Sequence, residues 1–287
     1  MAYRDDDHAH DQGLAHDLRV LSRRRLLGMV ARGAAGLSLV PVIGSVMGGC
    51  TSSDGSTVDA ATGTDAATGT DASPSGTGSC STIPEETAGP YPGDGTNGAN
   101  ALTLSGIVRS DIRTSFAGAT AVAEGVALSV TLTLVDSATC EPLAGRAIYL
   151  WHCDRGGDYS MYTGAAQAQN YLRGVQITDS AGQVTFTTIF PACYSGRWPH
   201  IHFEVYASAA AATNGSAKIA TSQLALPKAI CDLVFAETGY SASVSNLSRV
   251  SLASDMVFSD GSTLQLPTMT GSVAAGYAAA LTVAIRA

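Results

Sequence analysis

Two histidines, two tyrosines and an arginine have the side chains best suited to metal chemistry in this sequence. His200 and His202 form a His-x-His pair, and Tyr194 and Arg197 lie just before it. Apolar and polar residues alternate over residues 200–206, which predicts a β-strand. Its residues i and i+2 share one face about 6.6 Å apart along the chain, so both imidazoles could bind one metal ion.

The second tyrosine, Tyr159, lies in the glycine-rich segment 156–160, shortly after Trp151-His152-Cys153-Asp154. A tyrosine in a polar loop gains little from packing, which favours a functional role. With Tyr194 and the two histidines it would supply two phenolate oxygens and two imidazole nitrogens. This donor set favours Fe(III) over zinc or calcium. His152 is interpreted instead as a strand-end histidine with a hydrogen-bonding role.

The composition predicts an all-β domain. Among the 287 residues only 14% are charged, and short apolar alternations are separated by turn residues. We expect a β-sandwich whose loops build the site. Strands are predicted at residues 128–134, 146–153, 174–178, 183–190, 200–206, 219–226, near 264 and at 276–285, with an irregular stretch from about residue 230. The segments 174–178 and 183–190 are predicted to form a hairpin.

The N-terminal 49 residues resemble an export signal. Ser22-Arg-Arg-Arg-Leu-Leu27 is similar to a twin-arginine motif, and Met47-Gly-Gly-Cys50 resembles a degenerate lipobox whose cysteine would be lipidated. An ordinary exported protein cut nearby is the alternative. Residues 50–79 are poor in apolar residues and repeat a Thr/Ala/Asp/Gly pattern, which predicts a flexible tether. Residues 80–287 then form the folded domain.

Net charge argues against nucleic acid as a partner. The whole chain carries a formal charge of −8, and no basic stripe is present to neutralise phosphates. Removing residues 1–49 takes away six of the 16 Lys and Arg residues and five of the 24 Asp and Glu residues. The remaining chain has 10 basic and 19 acidic residues, a formal net charge of −9. The exported chain is therefore expected to be acidic.

Five cysteines follow Cys50, namely Cys80, Cys140, Cys153, Cys193 and Cys231, and this odd number permits at most two disulfides. Cys140 and Cys153 each end a predicted strand, so they are the expected pair, although spacing alone does not determine connectivity. The chain has no Cys-x-x-Cys motif, which argues against a zinc finger.

Several spaced motifs together resemble the intradiol ring-cleavage dioxygenases, in particular their exported bacterial branch. They are Trp151-His-Cys-Asp, Asp158-Tyr-Ser, Leu172-Arg-Gly-Val-Gln-Ile-Thr-Asp, Tyr194-Ser-Gly-Arg and Pro199-His-Ile-His-Phe, and the likeness extends from about residue 87 to the C-terminus. The resemblance implies a transthyretin-like β-sandwich and a non-haem ferric ion. It also implies intradiol cleavage of a catechol by O2 to a cis,cis-muconic acid.

The resemblance also implies a role for each site residue. Tyr159, Tyr194, His200 and His202 would be the four metal ligands, with Tyr194 as the ligand that substrate releases. Arg197 would stabilise negative charge on the substrate ring, and Gln223 would line the same pocket. Thr87-Ala-Gly-Pro-Tyr91 is similar to a segment that borders the pocket in relatives.

Two residues beside the site, Cys193 and Trp198, depart from the family pattern, which leaves the preferred catechol open. Tyr91, Tyr162 and Tyr171 are interpreted as packing residues that could also line the pocket. A zinc hydrolase would need Glu204 as its base. A surface-tethered sandwich that binds a partner without catalysis would be colourless, whereas tyrosinate bound to Fe(III) absorbs visible light.

Overall fold

Alternating apolar residues build the longest strand of the first sheet, as the sequence predicts. The structure, a computed structural model, describes residues 80–286. In β1 (Ala127–Asp136) the side chains of Val130, Leu132 and Leu134 are fully buried, whereas the threonines between them are partly exposed. One face of this strand therefore packs on the core and the other meets solvent.

Eight strands and two short helices make up the described part of the chain. The strands after β1 are β2 (Ala147–Trp151), β3 (Arg173–Ile177), β4 (Gln183–Ile189), β5 (His200–Tyr206), β6 (Lys218–Ala225), β7 (Thr268–Ser272) and β8 (Gly276–Ile285); the helices are α1 (Lys228–Val234) and α2 (Ser241–Leu247). No helix within residues 80–286 is long and apolar enough to cross a membrane. The predicted export signal and tether, with Cys50, lie outside the described residues.

The strands form two four-stranded sheets that pack into a β-sandwich, which confirms the predicted fold class. One sheet has the order β4-β1-β8-β7 and the other has the order β3-β2-β5-β6. The main core contains Val130, Phe186, Ile148, Phe203 and Val283, from strands of both sheets. Burying this apolar surface between the sheets holds β5, and with it the histidine pair, in the middle of its sheet.

The predicted hairpin between residues 174–178 and 183–190 is wrong. β3 pairs with β2 in one sheet, whereas β4 pairs with β1 in the other. The turn itself forms: the Asp179 carboxylate accepts hydrogen bonds from Ala181 N and Gln183 N, and Gly182 has φ 73°. The chain therefore crosses from one sheet to the other at this turn.

The C-terminal region also differs from expectation. The stretch from residue 230 contains α1 and α2, each of seven residues, and the strand predicted near Leu264 lies instead at Thr268–Ser272. Leu264 falls in a 3-10 turn, Thr263–Gln265, whose Gln265 side chain is fully buried. This turn directs Gln265 inward, where its Nε2 donates to Gln223 O at 3.1 Å.

The disulfide predicted between Cys140 and Cys153 is also wrong. Cys140 is bonded to Cys80, with 5.4 Å between their Cα atoms. The backbone N–H of Cys80 donates to Ser137 O, which brings the start of the domain to the turn that contains Cys140. Cys153 lies at the end of β2 and, like Cys193 and Cys231, is a buried free thiol.

Reducing or removing this disulfide should destabilise the domain. The bond closes a loop with a sequence separation of 60, and such cross-links typically contribute about 2–4 kcal/mol to the free energy of unfolding. We expect Cys80→Ser/Cys140→Ser to lose stability of this size in urea denaturation. Reductant should lower the stability of the parent protein and leave the double variant unchanged; an equal effect on both would contradict the assignment.

Candidate metal centre

The central strand β5 presents the two histidines from the face opposite the main core. Ile201, Phe203 and Val205 point into the core between the sheets. His200 and His202 therefore share the other face, as the alternation predicts, and both are almost fully buried. β2 and β6 flank the strand on either side, so its backbone is held by hydrogen bonds along both edges.

Four donor atoms converge at this face. The Tyr159 hydroxyl lies 3.4 Å from His200 Nε2 and 3.3 Å from His202 Nε2. The Tyr194 hydroxyl is 3.2 Å from His200 Nε2, and the two Nε2 atoms are 3.1 Å apart. The structure thus brings together all four residues that were predicted as metal ligands.

These separations fit a shared metal ion. Two ligand atoms each about 2.0–2.1 Å from one metal, at angles of about 90–110°, lie about 2.9–3.4 Å apart. Two phenol oxygens and two imidazole nitrogens form a mixed O/N donor set that suits Fe(III). Within residues 80–286 no group of three or more His, Cys, Asp or Glu side chains has an arrangement that could hold a metal ion.

Each imidazole is oriented by a different contact. His200 Nδ1 lies 2.5 Å from Trp198 O and donates to it, which leaves Nε2 with a lone pair for a metal. His202 Nδ1 has no hydrogen-bond partner among the described residues. Its ring stacks instead on Trp151, at 4.9 Å between centroids and 4° between planes. Burial lowers the pKa of both histidines well below the ordinary value, which favours neutral rings that can bind a metal.

The two tyrosines differ in how firmly they are held. Tyr159 is almost fully buried, its N–H donates to Thr163 Oγ1, and its ring packs 5.1 Å from the ring of Tyr91. Burial raises the pKa of this phenol well above its ordinary value, so only a cation at the site would favour the phenolate. Tyr194 is half-buried and is followed by the exposed residues Ser195 and Gly196. Tyr159 is therefore fixed, whereas Tyr194 has room to move.

Arg197 and Gln223 lie together beside this cluster. Arg197 Nη2 donates to Gln223 Oε1 at 2.7 Å, and both side chains are buried. Gln223 lies on β6 directly opposite His202 in the strand register, and its Nε2 donates to Thr87 O. The predicted arginine, the predicted glutamine and the N-terminal segment are thus joined by hydrogen bonds.

The N-terminal segment borders the site, as expected. Gly89 has φ +70°, and a Cβ at this position would lie 3.4 Å from His202 Cε1. A side chain there would be strained and would press on the histidine ring. Of the three other tyrosines, Tyr91 packs against both Tyr159 and Tyr162, whereas the Tyr171 hydroxyl donates to Asp154.

Glu204 is engaged away from the metal ligands. Its carboxylate accepts a hydrogen bond from the Tyr206 hydroxyl at 2.6 Å and forms an ion pair with Lys218 at 2.9 Å. Burial raises the pKa of Glu204 to about 7. Because both carboxylate oxygens are occupied, the structure offers no support for Glu204 as the base of a zinc hydrolase.

His152 has the hydrogen-bonding role predicted for it. Its Nδ1 lies 2.7 Å from Cys153 O and its Nε2 lies 2.7 Å from Thr188 Oγ1, within a fully buried environment. Burial lowers the pKa of His152 to about 4. It is therefore a neutral structural histidine rather than a fifth ligand.

This lowered pKa predicts a pH-dependent stability. The native protein binds its proton at about pH 4, whereas the unfolded chain binds it near 6.5, so stability is full above pH 6.5 and is lost as pH falls. The lowered pKa of His152 contributes about 3 kcal/mol to the free energy of unfolding at neutral pH. Urea unfolding from pH 7 to pH 4 should show His152→Gln losing less stability than the parent protein by about this amount. Parallel pH profiles would contradict the assignment.

Two buried polar residues important to the site were missed. Asp255 forms an ion pair with Arg197 at 3.0 Å. Asp255 lies in the C-terminal region that was predicted to be irregular. Arg173 lies inside a motif noted above, yet its role was not recognised. Cys193 and Trp198, which depart from the family pattern, belong to the main core. An aspartate next to apolar residues, as in Asp255-Met-Val-Phe, was the available sign of a buried carboxylate.

Comparison with known proteins finds a family model and several solved structures that are similar to this chain. The model of the dioxygenase family matches residues 109–214. An intradiol ring-cleavage dioxygenase from Tetranychus urticae has a similar structure, with 27% identity and a TM-score of 0.57, over 72% of this chain and 95% of that one. The dioxygenase domain of a carbohydrate-binding fusion from Streptomyces sp. SirexAA-E matches at 22% identity and a TM-score of 0.46, over 72% and 99%. No curated protein sequence matches significantly.

The match to the dioxygenase family covers β1 to β5 and contains all four clustered donor residues. His200 and His202 lie on β5, whereas Tyr159 lies between β2 and β3 and Tyr194 between β4 and β5. The mite enzyme shares the fold over nearly its whole length. The chain is thus similar to the dioxygenase family over residues 109–214 and to an intradiol ring-cleavage dioxygenase in its fold.

Proposed function

We propose that this protein binds Fe(III) through Tyr159, Tyr194, His200 and His202 and cleaves a catechol-type diol with O2 between its two hydroxyl-bearing carbons. The observation that carries the proposal is the convergence of two phenol oxygens and two imidazole nitrogens within 3.1–3.4 Å. The product would be a cis,cis-muconic acid. Both oxygen atoms of O2 enter this product, so no flavin or nicotinamide is required.

The protein's own residues would divide the work as follows. Tyr159 is held by burial and by its loop, so it stays in place during turnover. Tyr194, half-buried on a loop with exposed neighbours, would be the ligand that moves aside; its phenolate oxygen would accept a catechol proton, and the residue would leave as a neutral phenol. When bound, the ferric ion would supply a Lewis acid that polarises the diol.

Arg197 would act on the charge that develops during the reaction. Its guanidinium is buried and hydrogen-bonded to Gln223, so it is fixed before substrate arrives. A fixed cation in a site without bulk water stabilises negative charge on the ring more strongly than a solvated one does. Gln223 would keep the guanidinium in this orientation through its own bond to Thr87 O.

Export of the enzyme is a further part of the proposal. It rests on the twin-arginine-like motif at residues 22–27 and the lipobox-like sequence that ends in Cys50. Twin-arginine export carries folded proteins, which would allow the iron to be inserted before transport. The enzyme would then act outside the cytoplasm, on a lipid anchor or as a secreted protein.

Oxygen consumption tests the reaction directly. Purified, iron-loaded protein should be coloured and should consume O2 with at least one of catechol, hydroxyquinol and protocatechuate. Chromatography of the product should give the intradiol acid rather than the extradiol aldehyde. A colourless protein that contains zinc and consumes no O2 with these diols would overturn the proposal.

A further inference from the structure

The irregular segment between α2 and β7 brings two fully buried polar side chains to the Arg197–Gln223 pair. Asp255 forms an ion pair with Arg197, and Gln265 donates through its Nε2 to Gln223 O at 3.1 Å. Both side chains are 0% exposed. The segment lies beyond residues 109–214, to which the family match is confined.

The Asp255 carboxylate accepts four hydrogen bonds. Oδ2 accepts from Arg197 Nε at 3.0 Å and from Trp198 N at 2.6 Å. Oδ1 accepts from Val257 N at 2.8 Å and from Phe258 N at 3.1 Å. Both oxygens of this fully buried side chain therefore have hydrogen-bond donors.

The Arg197 guanidinium is held by hydrogen bonds to two side chains. Asp255 holds Nε, and Gln223 holds Nη2, so the plane of the guanidinium is set by two partners from different parts of the chain. The side chain is only 3% exposed, and an unbalanced cation would be costly at that depth. Asp255 supplies the balancing charge as well as the orientation.

The same carboxylate also reaches the backbone that orients a metal ligand. Asp255 accepts from Trp198 N, and the carbonyl oxygen of Trp198 accepts from His200 Nδ1. A single residue from the C-terminal segment therefore holds the peptide between Arg197 and His200. Residues that orient metal ligands and catalytic groups in this way commonly affect turnover without touching substrate.

We propose that Asp255 is a positioning residue, which acts on ring cleavage by orienting Arg197. This inference rests on the proposed function of the same site. A purely structural reading also exists, because Asp255 Oδ1 caps the turn at Val257 and Phe258. The two readings differ in whether the effect of Asp255 depends on Arg197.

A double-mutant cycle separates them. Iron-loaded parent protein, Asp255→Asn, Arg197→Met and the double variant would be compared for kcat and KM with the best catechol of the panel. Asp255→Asn should lower kcat by about 10–100-fold, the cost typical of losing a group that orients a metal ligand. In the Arg197→Met background the same change should cost less than about threefold, because no guanidinium remains to be positioned.

Readouts other than activity complete the test. Iron content, the visible absorption band and the thermal midpoint would be measured for all variants, and the affinity for 4-nitrocatechol would be titrated optically. The exposed Asp260, in the same segment, provides the matched control, and Asp260→Asn should behave as the parent protein. If Asp255→Asn does not fold, the cycle is run with Asp255→Glu, which keeps the charge and displaces it.

Equal losses of kcat in both backgrounds, or a fall in thermal midpoint that accounts for the lost activity, would overturn the positioning role. Neither outcome affects the proposed function, which depends only on whether the parent protein cleaves a catechol. Conversely, a parent protein without dioxygenase activity would reject the function, and 4-nitrocatechol affinity in the four proteins would still report whether Asp255 acts through Arg197.

Discussion

Replacing Tyr159 by phenylalanine is expected to remove most of the visible tyrosinate absorption and to lower kcat by more than about 100-fold. Loss of a residue that merely orients a metal ligand costs about 10–100-fold, and Tyr159 supplies a ligand atom itself. Its hydroxyl lies within 3.4 Å of both histidine Nε2 atoms, so the substitution removes one of the four clustered donor atoms. Absorption spectra, iron content and initial rates of O2 uptake measure the effect.

Tyr162→Phe is the matched control for this experiment. Tyr162 lies in the same loop, and its hydroxyl accepts from Gly93 N and donates to Asn97 instead of facing the histidines. Removing that hydroxyl should leave the colour in place and change kcat only slightly. Full colour and activity in Tyr159→Phe, or equal losses in the two variants, would show that Tyr159 is not the fixed ligand.

The largest effect on stability is expected from Arg173→Met. Arg173 on β3 is fully buried, and no carboxylate is among its hydrogen-bond partners. It donates to Tyr91 O, Pro92 O and the Tyr149 hydroxyl, and to both the carbonyl and the hydroxyl oxygen of Ser160. The side chain thereby ties the segment that borders the pocket to the residue that follows Tyr159.

Without the guanidinium, several buried carbonyl groups would lose their donor. We expect Arg173→Met to lower the free energy of unfolding by about 3–5 kcal/mol, because each buried acceptor left unpaired costs about 1–3 kcal/mol. Urea denaturation of the metal-free protein measures this loss. Arg113→Met is the control, because its ion pair with Asp111 is about 40% exposed and such pairs contribute about 0–1 kcal/mol. Similar losses in both variants would contradict the role of Arg173.

Alternation of apolar and polar residues in the sequence correctly predicted which side chains share one face of a strand. The alternation at residues 200–206 placed both histidines on one side of β5, and the apolar run before Cys153 predicted β2 as a central strand with all five residues buried. These predictions succeeded because side chains in a strand alternate with a period of two, whatever the strand pairs with. The fold class followed from many such segments.

Local sequence patterns did not predict which distant segments pair with each other. Residues 174–178 and 183–190 both formed strands, yet the turn between them joins two sheets rather than two neighbours in one. The disulfide likewise joins Cys140 to the start of the domain, 60 residues away, instead of the nearer Cys153. A turn sequence specifies only a change of chain direction, whereas the pairing of each strand depends on how its side chains are buried in the core.

The sequence by itself determined the donor types of the candidate site, because Tyr159, Tyr194, His200 and His202 carry two phenol oxygens and two imidazole nitrogens. Only the tertiary structure decided how that chemistry is held in place. Asp255 lies 58 residues from Arg197 and Arg173 lies 82 residues from Tyr91, so their contacts leave no periodic trace in the sequence. Burial of charged groups depends on the folded chain as a whole, which is why these two residues were found only there.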